Sequence, residues 1–450
     1  MTFPLSKAIQ QHAEEIAFDD GVNQILYGEL DRAISQSKVM QIPELRRGDH
    51  VAWCPRNDLD AFLTFWAIQM RACVACPLSH RFPDAKRNEL VDRIDAKWLP
   101  DLLAEVGEET KEEPEESASA LTQADSSSPA TLILSSGSTG APKAIVHSMS
   151  AHVESAIGAA VNMPLAAGDR WLWSLPLCHV SGLSILVRCA VAGATVVGLS
   201  PSEKPDAQLL EQREVTHLSV VSSQLRRLLE EESFPGSKLR YVLLGGSRVD
   251  TVLITRARGL GVAVLTTYGL TEMASQVSTS KATADPNTSG ALLPRRELKI
   301  ESGEIFVRGP MLCLGYYKNG QIESVADEAG WFATGDLGRL DANQQLNVIG
   351  RMDNMFISGG ENVYPENIER AMLAAFEIDR VVVVPKTDEQ HGFRPVAFVE
   401  GSLPDLWEEE LRQRLSGFEI PVSILAWPLQ DDASLKVDRK RLQSLAASQS

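Results

Sequence analysis

Residues 131–143 read TLILSSGSTGAPK, an apolar run followed by a loop of glycines and small hydroxyl residues. The apolar run predicts a buried strand, and the loop extends from Ser135 at its carboxyl end to Lys143. Gly137 and Gly140 let the backbone approach an anion, which the loop amides and hydroxyls can then bind. The spacing is not that of a Walker A loop, because Gly140 and Lys143 are separated. By itself, such a loop is more often a plain surface turn than a phosphate site.

Apolar strands alternate with amphipathic helices on both sides of this loop. The start, MTFPLSKAIQQHAEEIAF, predicts an amphipathic helix, DHVAWCP predicts a strand, and LDAFLTFWAIQMRACVACPL predicts a helix that runs into a strand. Beyond the loop, strand-like runs continue to about residue 280: WLWSLPL, ATVVGLS, HLSVVSS, LRYVLLGG and VAVLTTYG. Because parallel strands need a crossover connection, this alternation predicts a mostly parallel sheet with helices on its faces.

The pattern changes twice in the last third of the chain. Residues 290–350 alternate apolar and polar side chains between tight turns, which predicts antiparallel β structure, and a smaller set of helix and strand patterns follows Arg351. We therefore predict an α/β fold with two domains. Residues 1–350 form a large N-terminal domain of parallel and mixed sheets with flanking helices and a β-rich subdomain. Residues 351–450 form a small, mobile α+β C-terminal domain.

The composition narrows the class of protein. Of the 450 residues, 44% are hydrophobic and 23% charged, which excludes a largely disordered or collagenous chain. The balance of 43 Lys+Arg against 60 Asp+Glu gives a net charge of −17, so we expect no nucleic-acid partner. The chain has neither an apolar run of about 18 residues nor a signal-peptide pattern at its start, so we expect no membrane span and a cytoplasmic location. The sequence leaves open whether the protein forms a homo-oligomer.

Two local patterns are interpreted as structural. Cys73 and Cys76 form a CxxC pair, but they lie in the apolar run RACVACPL, so we favour packing in a buried strand over a metal or redox site. Residues 104–128 contain seven Glu between Glu105 and Glu116, followed by a serine-rich stretch. This composition predicts a solvated acidic loop.

Six segments, in the same order along the chain, resemble motifs of the adenylate-forming superfamily of acyl-CoA synthetases, peptide-synthetase adenylation domains and luciferases. The first is SSGSTGAPK, which resembles the phosphate-binding loop of that family. The others are YGLTE at 268–272, GEI with RGP and GY at 303–316, WFATGD at 331–336, GRMDN leading into SGGENVYP at 350–365, and KVDR at 436–439. The resemblance covers essentially the whole chain. It implies that the protein activates a small-molecule carboxylic acid with ATP and Mg²⁺ and transfers it to CoA.

The resemblance also implies roles for individual residues at the nucleotide. The phosphate loop would bind the β- and γ-phosphates through Ser135, Ser136, Gly137, Ser138, Thr139, Gly140 and Lys143. Residues of the YGLTE motif would surround the α-phosphate and the metal: Tyr268, Gly269, Thr271 at the α-phosphate and Glu272 as the Mg²⁺ ligand. The adenosine would lie against Gly245, Gly246, Asp336 and Arg351, with the last two at the ribose hydroxyls.

Lys436 would be the catalytic lysine that bridges the acid and the α-phosphate during adenylation. The small domain would then rotate about a hinge at Asp353, which removes Lys436 and brings the SGGEN loop toward the site for attack by the CoA thiol. The sequence departs from the family pattern at two positions. Leu435 precedes Lys436 where the family usually has Gly, and Ala144 follows Lys143 where Gly is usual.

Three segments further resemble the o-succinylbenzoate–CoA ligase branch of the family: SLPLCHVSGLSILVR, SQLRRLL and YGLTEMASQVST, which contains Ser275. Arg188 is the lone charge in the apolar helix GLSILVRCAVAG, and a buried cation needs an anionic partner. That partner is either a structural carboxylate or the second carboxylate of a dicarboxylic substrate. Arg227 is the weaker candidate for binding a second substrate carboxylate; the alternative is an ion pair at the protein surface with Glu230 or Glu231. His179, at the end of the strand WLWSLPLC, either lines an aryl pocket or is an ordinary core histidine.

Other functions compete with this interpretation. An aryl- or medium-chain acyl-CoA ligase would have a neutral acid pocket that no arginine faces. A catalytically silent nucleotide-binding relative would lack Lys436, Glu272 or Asp336, and all three are present. An adenylation domain that serves a carrier protein is a further alternative, although the sequence contains no carrier-like domain.

Overall fold

The computed structural model describes residues 3–105, 125–135, 142–200, 203–231, 238–245, 251–428 and 438–448. Within these residues the chain forms four β-sheets with helices packed on them. The helices are α1 Pro4–Gln11, α2 Leu30–Ser35, α3 Leu59–Met70, α4 Asp84–Arg93, α5 Leu99–Glu105, α6 Met149–Ala159, α7 Val180–Ala192, α8 Ala207–Gln212, α9 Ser222–Glu230, α10 Thr251–Gly259, α11 Pro365–Ala375, α12 Trp407–Arg412 and α13 Arg439–Ser448.

The strands of the first three sheets lie between residues 16 and 351. They are β1 Ile16–Asp19, β2 Gln24–Leu26, β3 His50–Trp53, β4 Val74–Pro77, β5 Ala96–Trp98, β6 Pro129–Ser135, β7 Lys143–Ser148, β8 Arg170–Leu172, β9 Thr195–Val197, β10 His217–Val220, β11 Tyr241–Leu244, β12 Ala263–Leu270, β13 Ser275–Thr279, β14 Ala291–Leu292, β15 Glu297–Glu301, β16 Glu304–Arg308, β17 Gly315–Lys318, β18 Gln321–Glu323, β19 Phe332–Leu340 and β20 Leu346–Arg351. The fourth sheet consists of β21 Phe356–Ser358, β22 Glu361–Val363, β23 Ile378–Asp388, β24 Gly392–Gly401 and β25 Ser423–Ala426.

The largest sheet has nine strands in the order β14-β13-β12-β11-β10-β8-β9-β1-β2. Its six inner strands, from β12 to β1, are parallel, and antiparallel strands flank them on both edges. Parallel strands place their carboxyl ends at one edge of a sheet, and ligands of α/β proteins bind there. Arg188 reaches this sheet from α7, which ends at Gly193 in the left-handed conformation (φ 70°) that glycine adopts without strain.

The second sheet has seven strands in the order β18-β17-β7-β6-β4-β3-β5. Strands β6 and β7 form an antiparallel hairpin that pairs Ser135 with Lys143, so the phosphate-loop segment connects two neighbouring strands. Strand β17 pairs antiparallel with β7 and brings Tyr316 opposite Ile145. The third sheet has the order β15-β16-β19-β20 and is antiparallel.

The sequence predicted the fold class correctly: the alternating segments form parallel and mixed sheets, residues 297–351 form an antiparallel sheet, and a smaller α+β unit follows. Two local predictions were wrong. The first helix ends at Gln11, because Ile16–Asp19 pairs in the large sheet as β1. The strand before His179 ends at Leu172, and His179 is instead the N-cap residue of α7. The domain boundary at 350/351 stays a prediction.

Cys73 and Cys76 are buried in and beside β4, as predicted, and burial raises the pKa of Cys73 to about 11. Both thiols therefore stay protonated and pack in the core. Most of the acidic segment, residues 106–124, lies outside the described residues. In the described part of the chain, no helix is both long enough and apolar enough to span a bilayer.

Candidate functional site

The first part of the site lies at the carboxyl end of β11. Gly245 directly follows this strand, and its backbone N–H donates to the carbonyl of Val220 at the end of β10 (3.3 Å). A Cβ atom at Gly245 would lie 2.7 Å from Thr267 Cγ2, which is closer than real contacts allow. Position 245 therefore requires glycine, and a flat ring can pack directly against the exposed backbone of a residue without a side chain. Gly246 lies outside the described residues.

Tyr268, Asp336 and Arg351, which the sequence places far apart, meet in one hydrogen-bonded group. The Tyr268 hydroxyl donates to Asp336 Oδ2 (2.7 Å), and Arg351 Nη1 donates to Asp336 Oδ1 (3.0 Å). The register of β19 with β20 sets Asp336 directly opposite Arg351. Burial raises the pKa of Asp336, and the opposing charge of Arg351 and the Tyr268 hydroxyl favour its ionised form. The result is a buried carboxylate with two fixed donors.

The Thr271–Met273 turn is held from the strand that leaves the phosphate loop. His147 Nε2 on β7 lies 2.7 Å from the carbonyl of Thr271 and donates to it. Burial lowers the pKa of His147 to about 4, so the imidazole is neutral at physiological pH. Gly269 lies at a bulge in the pairing of β12 and β13, and a Cβ there would lie 2.1 Å from the carbonyl oxygen of Ser275. Only glycine fits this close approach.

Lys143 and Glu272 approach each other through Tyr316. The Tyr316 hydroxyl donates to Glu272 Oε1 (2.9 Å) and accepts from Lys143 Nζ (3.4 Å), whose ammonium lies 4.9 Å from the Tyr316 ring centroid. The structure therefore connects the end of the phosphate loop to the carboxylate predicted to bind the metal.

Arg188 forms the second part of the site. Its side chain is buried, and its Nη2 donates to Gln276 Oε1 (2.7 Å) and Ser275 Oγ (3.1 Å). The guanidinium carbon lies 5.3 Å from the centroid of the Trp171 ring. Each of these partners is neutral. Among the described residues, Arg188 forms no ion pair with a carboxylate, and its buried Nε has no hydrogen-bond acceptor.

The surroundings of Arg188 are short of negative charge. Burial and the nearby cation Arg296 lower the pKa of Arg188 to about 9, which still leaves the guanidinium charged at neutral pH. Arg296 is itself buried and donates to the backbone carbonyls of Gln276, Pro294 and Ser155. A buried cation with neutral partners is costly, so an anion that reached Arg188 would be bound strongly.

The remaining predicted site residues are placed as follows. Arg227 is exposed on α9. His179 is the N-cap residue of α7, the helix that carries Arg188, and directly precedes its first residue Val180. Asp353 lies in the short 3₁₀ turn Met352–Asn354 and accepts from Arg351 Nε (2.9 Å). The predicted residues Ser136, Gly137, Ser138, Thr139, Gly140, Gly246 and Lys436 lie outside the described residues.

Sequence reasoning did not assign roles to several residues that the structure brings to the site. Tyr316 belongs to the GY motif, which marked it as a member of the family pattern but gave it no role. Its contact with Glu272 depends on the pairing of β17 with β7. Gln276 follows Ser275 in the sequence without any charge or spacing that marks it. Trp171 and Arg296 reach Arg188 through tertiary packing.

Glu272 offers a single carboxylate to a metal ion, so substrate oxygens would have to complete the coordination. Among the described residues, no three His, Cys, Asp or Glu side chains are grouped closely enough to hold a metal ion. Mg²⁺ commonly binds through one or two carboxylates together with substrate phosphates. Glu272, beside the predicted phosphate loop, fits that arrangement.

Comparison with known proteins identifies the class. The family model described as AMP-binding enzyme matches residues 5–317, and the chain belongs to this family. The resemblance found in the sequence motifs is thereby confirmed.

Individual relatives point to one branch of the family. The chain is 39% identical over 316 residues to the 2-succinylbenzoate–CoA ligase of Escherichia coli strain K12, covering 69% of this chain and 68% of the relative. It is similar to the solved structure of a single-residue variant of E. coli MenE with bound OSB-AMS, at 32% identity and a TM-score of 0.85, with 100% of this chain and 99% of that chain covered. It is also similar to the Bacillus subtilis o-succinylbenzoate coenzyme A synthetase in complex with ATP and magnesium ion, at 27% identity and a TM-score of 0.86, covering 98% and 99% of the two chains.

Proposed function

We propose that this protein is an ATP-dependent o-succinylbenzoate–CoA ligase. It converts the acid and ATP to an acyl-adenylate and pyrophosphate, and then transfers the acyl group to the CoA thiol with release of AMP. The observation that carries the proposal is Arg188, a buried cation whose partners among the described residues are neutral, in a chain similar to 2-succinylbenzoate–CoA ligases. An aromatic acid with a second carboxylate supplies the anion that this position lacks.

The nucleotide is bound by the groups around Asp336. Its carboxylate accepts hydrogen bonds from the ribose hydroxyls, Arg351 adds a further ribose contact, and adenine packs on the bare backbone at Gly245. The phosphate loop, from Ser135 to Lys143, binds the β- and γ-phosphates, and Thr271 contacts the α-phosphate.

Glu272 holds Mg²⁺ together with phosphate oxygens. When bound, the metal neutralises negative charge as the acid approaches the triphosphate. Tyr316 lies between Glu272 and Lys143 and is hydrogen-bonded to both. Lys143 therefore adds a second positive charge close to the metal ligand. These groups therefore reduce the repulsion between two anions that must react.

The acid lies with its distal carboxylate against Arg188 and Ser275. Since this carboxylate is remote from the one being activated, it orients the substrate without taking part in the chemistry. The nucleophile is the other carboxylate of the acid, whose oxygen attacks the α-phosphorus as pyrophosphate leaves. His179 lines the aryl pocket, and Arg227 is the weaker candidate for the distal contact.

The two half-reactions use two arrangements of a domain over residues 351–450 relative to a domain over residues 1–350. Lys436 acts in the first half-reaction and leaves the site in the second. We place the hinge at Asp353, in the short turn between β20 and β21. Short segments between packed domains are where such rotations occur.

The proposal is tested by pyrophosphate release from a panel of mono- and dicarboxylic aromatic acids, with and without CoA. We expect ATP-dependent release with o-succinylbenzoate and thioester only when CoA is added. Equal turnover of simple monocarboxylic acids would instead identify an aryl-CoA ligase of broader specificity, and no release with any acid would contradict the enzymatic assignment.

Asp336→Ala is expected to raise the KM for ATP without unfolding the protein. A carboxylate that binds two ribose hydroxyls contributes charge-assisted hydrogen bonds of about 1.5–3 kcal/mol each, so the KM should rise at least about tenfold. Asp341→Ala is the matched control, because this carboxylate caps the turn of the same hairpin by accepting from the backbone of Asn343 and Gln345 (2.8 Å each). A folded Asp336→Ala variant with unchanged ATP dependence would remove Asp336 from the nucleotide site.

Gln276→Glu is expected to reduce the preference for the dicarboxylic acid. A carboxylate at this position would pair with Arg188 and neutralise the charge that the substrate needs. The KM for o-succinylbenzoate should rise by about tenfold or more, and that for its distal methyl ester should change little. Gln69→Glu, at a buried glutamine that donates to the Ala130 carbonyl, should leave the acid preference unchanged. An equal loss on both acids would show that Gln276 has a purely structural role.

A further inference from the structure

The segment that contains Tyr316 holds Glu272 at both its backbone and its side chain. The N–H of Cys313 donates to the backbone carbonyl of Glu272 (2.7 Å), and the Tyr316 hydroxyl donates to Glu272 Oε1 (2.9 Å). The same segment is fixed to the strand that leaves the phosphate loop, since the N–H of Leu314 donates to the Val146 carbonyl (2.8 Å). The carboxylate thus has a fixed position relative to β7.

The hydrogen bond also distinguishes the two oxygens of Glu272. Oε1 accepts from Tyr316, and among the residues that the structure describes Oε2 has no donor. The Tyr316 hydroxyl is the donor in this bond, because a carboxylate oxygen can only accept. Lys143 Nζ, 3.4 Å from the Tyr316 oxygen, occupies its acceptor side and fixes the direction in which the hydroxyl donates.

We propose that Tyr316 is a positioning residue for the metal: its hydrogen bond to Oε1 fixes the carboxylate of Glu272, so that Oε2 would bind Mg²⁺. This inference rests on the proposed function, because it assigns the metal to Glu272. Groups that orient a metal ligand commonly contribute about 10–100-fold in metal affinity without contacting the metal. Tyr316 also links the metal ligand to Lys143 through its hydroxyl.

The neighbouring residue provides a matched control. Tyr317 lies next to Tyr316 on β17, and successive side chains of a strand point to opposite faces. The Tyr317 hydroxyl also donates to a carboxylate, Asp95 Oδ2 (2.7 Å), in a part of the chain that the proposed mechanism does not use. Tyr316→Phe and Tyr317→Phe therefore remove the same atom and the same type of hydrogen bond.

The test is binding of Mn²⁺, in place of Mg²⁺, to the full-length protein with a non-hydrolysable ATP analogue, followed by electron paramagnetic resonance. Tyr316→Phe should raise the Mn²⁺ dissociation constant about tenfold, and Tyr317→Phe should leave it within about twofold of the unmodified protein. In a Glu272→Gln background, Tyr316→Phe should cause no additional loss, because it acts through that carboxylate.

Each other outcome has a defined meaning. Unchanged Mn²⁺ affinity in Tyr316→Phe, equal losses in the two tyrosine variants, or an additive loss in the Glu272→Gln background would overturn the inference. Tyr316→Phe could also melt at a much lower temperature than the unmodified protein. The measurement in the Glu272→Gln background then distinguishes the two explanations, since a general loss of structure would lower the Mn²⁺ affinity there too. Failure of the unmodified protein to bind Mn²⁺ with the ATP analogue would contradict the proposed function itself.

Discussion

Lys436→Ala is expected to lower the rate of acyl-adenylate formation by about 10²–10³, equivalent to about 3–4 kcal/mol of transition-state stabilisation. The reaction brings a carboxylate against a triphosphate, and in the proposed mechanism Lys436 of the KVDR motif supplies the cation that bridges the two at the developing charge. Thioester formation from supplied acyl-adenylate and CoA should continue at a rate close to that of the unmodified protein, because the proposed domain rotation removes Lys436 from the site before this step. Separate assays of pyrophosphate release and of thioester formation measure the two steps.

Lys440→Ala is the control for this prediction. Lys440 is an exposed lysine in the first turn of α13, four residues after Lys436, and the proposed mechanism does not use it. Both half-reactions should proceed normally in this variant. If Lys436→Ala lowers both half-reactions together, the assignment of Lys436 to one of two domain arrangements is wrong.

Arg188→Ala is expected to remove the preference for a dicarboxylic acid. The substrate's distal carboxylate would be buried without its cation, at a cost of about 2–5 kcal/mol. Since this carboxylate binds in the ground state and in the transition state alike, the loss should appear mainly in the KM for o-succinylbenzoate. The distal methyl ester should be affected much less, and the ATP dependence should change little. Steady-state kinetics with both acids measure the difference.

The control for Arg188→Ala is Arg258→Ala. Arg258 on α10 is half-buried and donates to the backbone carbonyls of Val264 and Ala284, so its removal costs structural hydrogen bonds. Any loss in that variant should be equal for the two acids. An equal loss for the two acids in Arg188→Ala would mean that Arg188 is likewise structural.

The elements that sequence patterns predicted best are those whose burial is decided locally. Strands β6, β10 and β11 are short apolar runs bounded by turn residues, and such runs have little alternative to a buried strand. The strand before His179 was predicted too long because its apolar run continues through Pro176, and a proline cannot extend a central strand. Apolar character alone does not mark where a strand stops pairing.

The site was only partly predictable because its hydrogen bonds join distant parts of the chain. The motif pattern assigned Tyr268, Asp336 and Arg351 to one site, and the structure brings these three side chains together. The contact between Lys143 and Tyr316 spans 173 positions and depends on the pairing of β7 with β17. No local period or spacing encodes that register.

Arg188 shows most clearly what the sequence alone leaves open. Its lone charge in an apolar helix indicated a buried cation, but a structural carboxylate from any distant segment could have satisfied it. Deciding between that partner and a substrate required knowing which side chains lie around the guanidinium. They are the neutral groups of Ser275, Gln276 and Trp171.

A competition assay tests the central claim most directly. The unmodified protein is given ATP, Mg²⁺, CoA and an equal mixture of o-succinylbenzoate, its distal methyl ester and benzoate, and the thioesters formed are quantified by mass spectrometry. The account predicts that o-succinylbenzoyl-CoA predominates by about tenfold or more, since only this acid supplies an anion to Arg188. Comparable amounts of the three thioesters, or a predominance of either monocarboxylic acid, would contradict it.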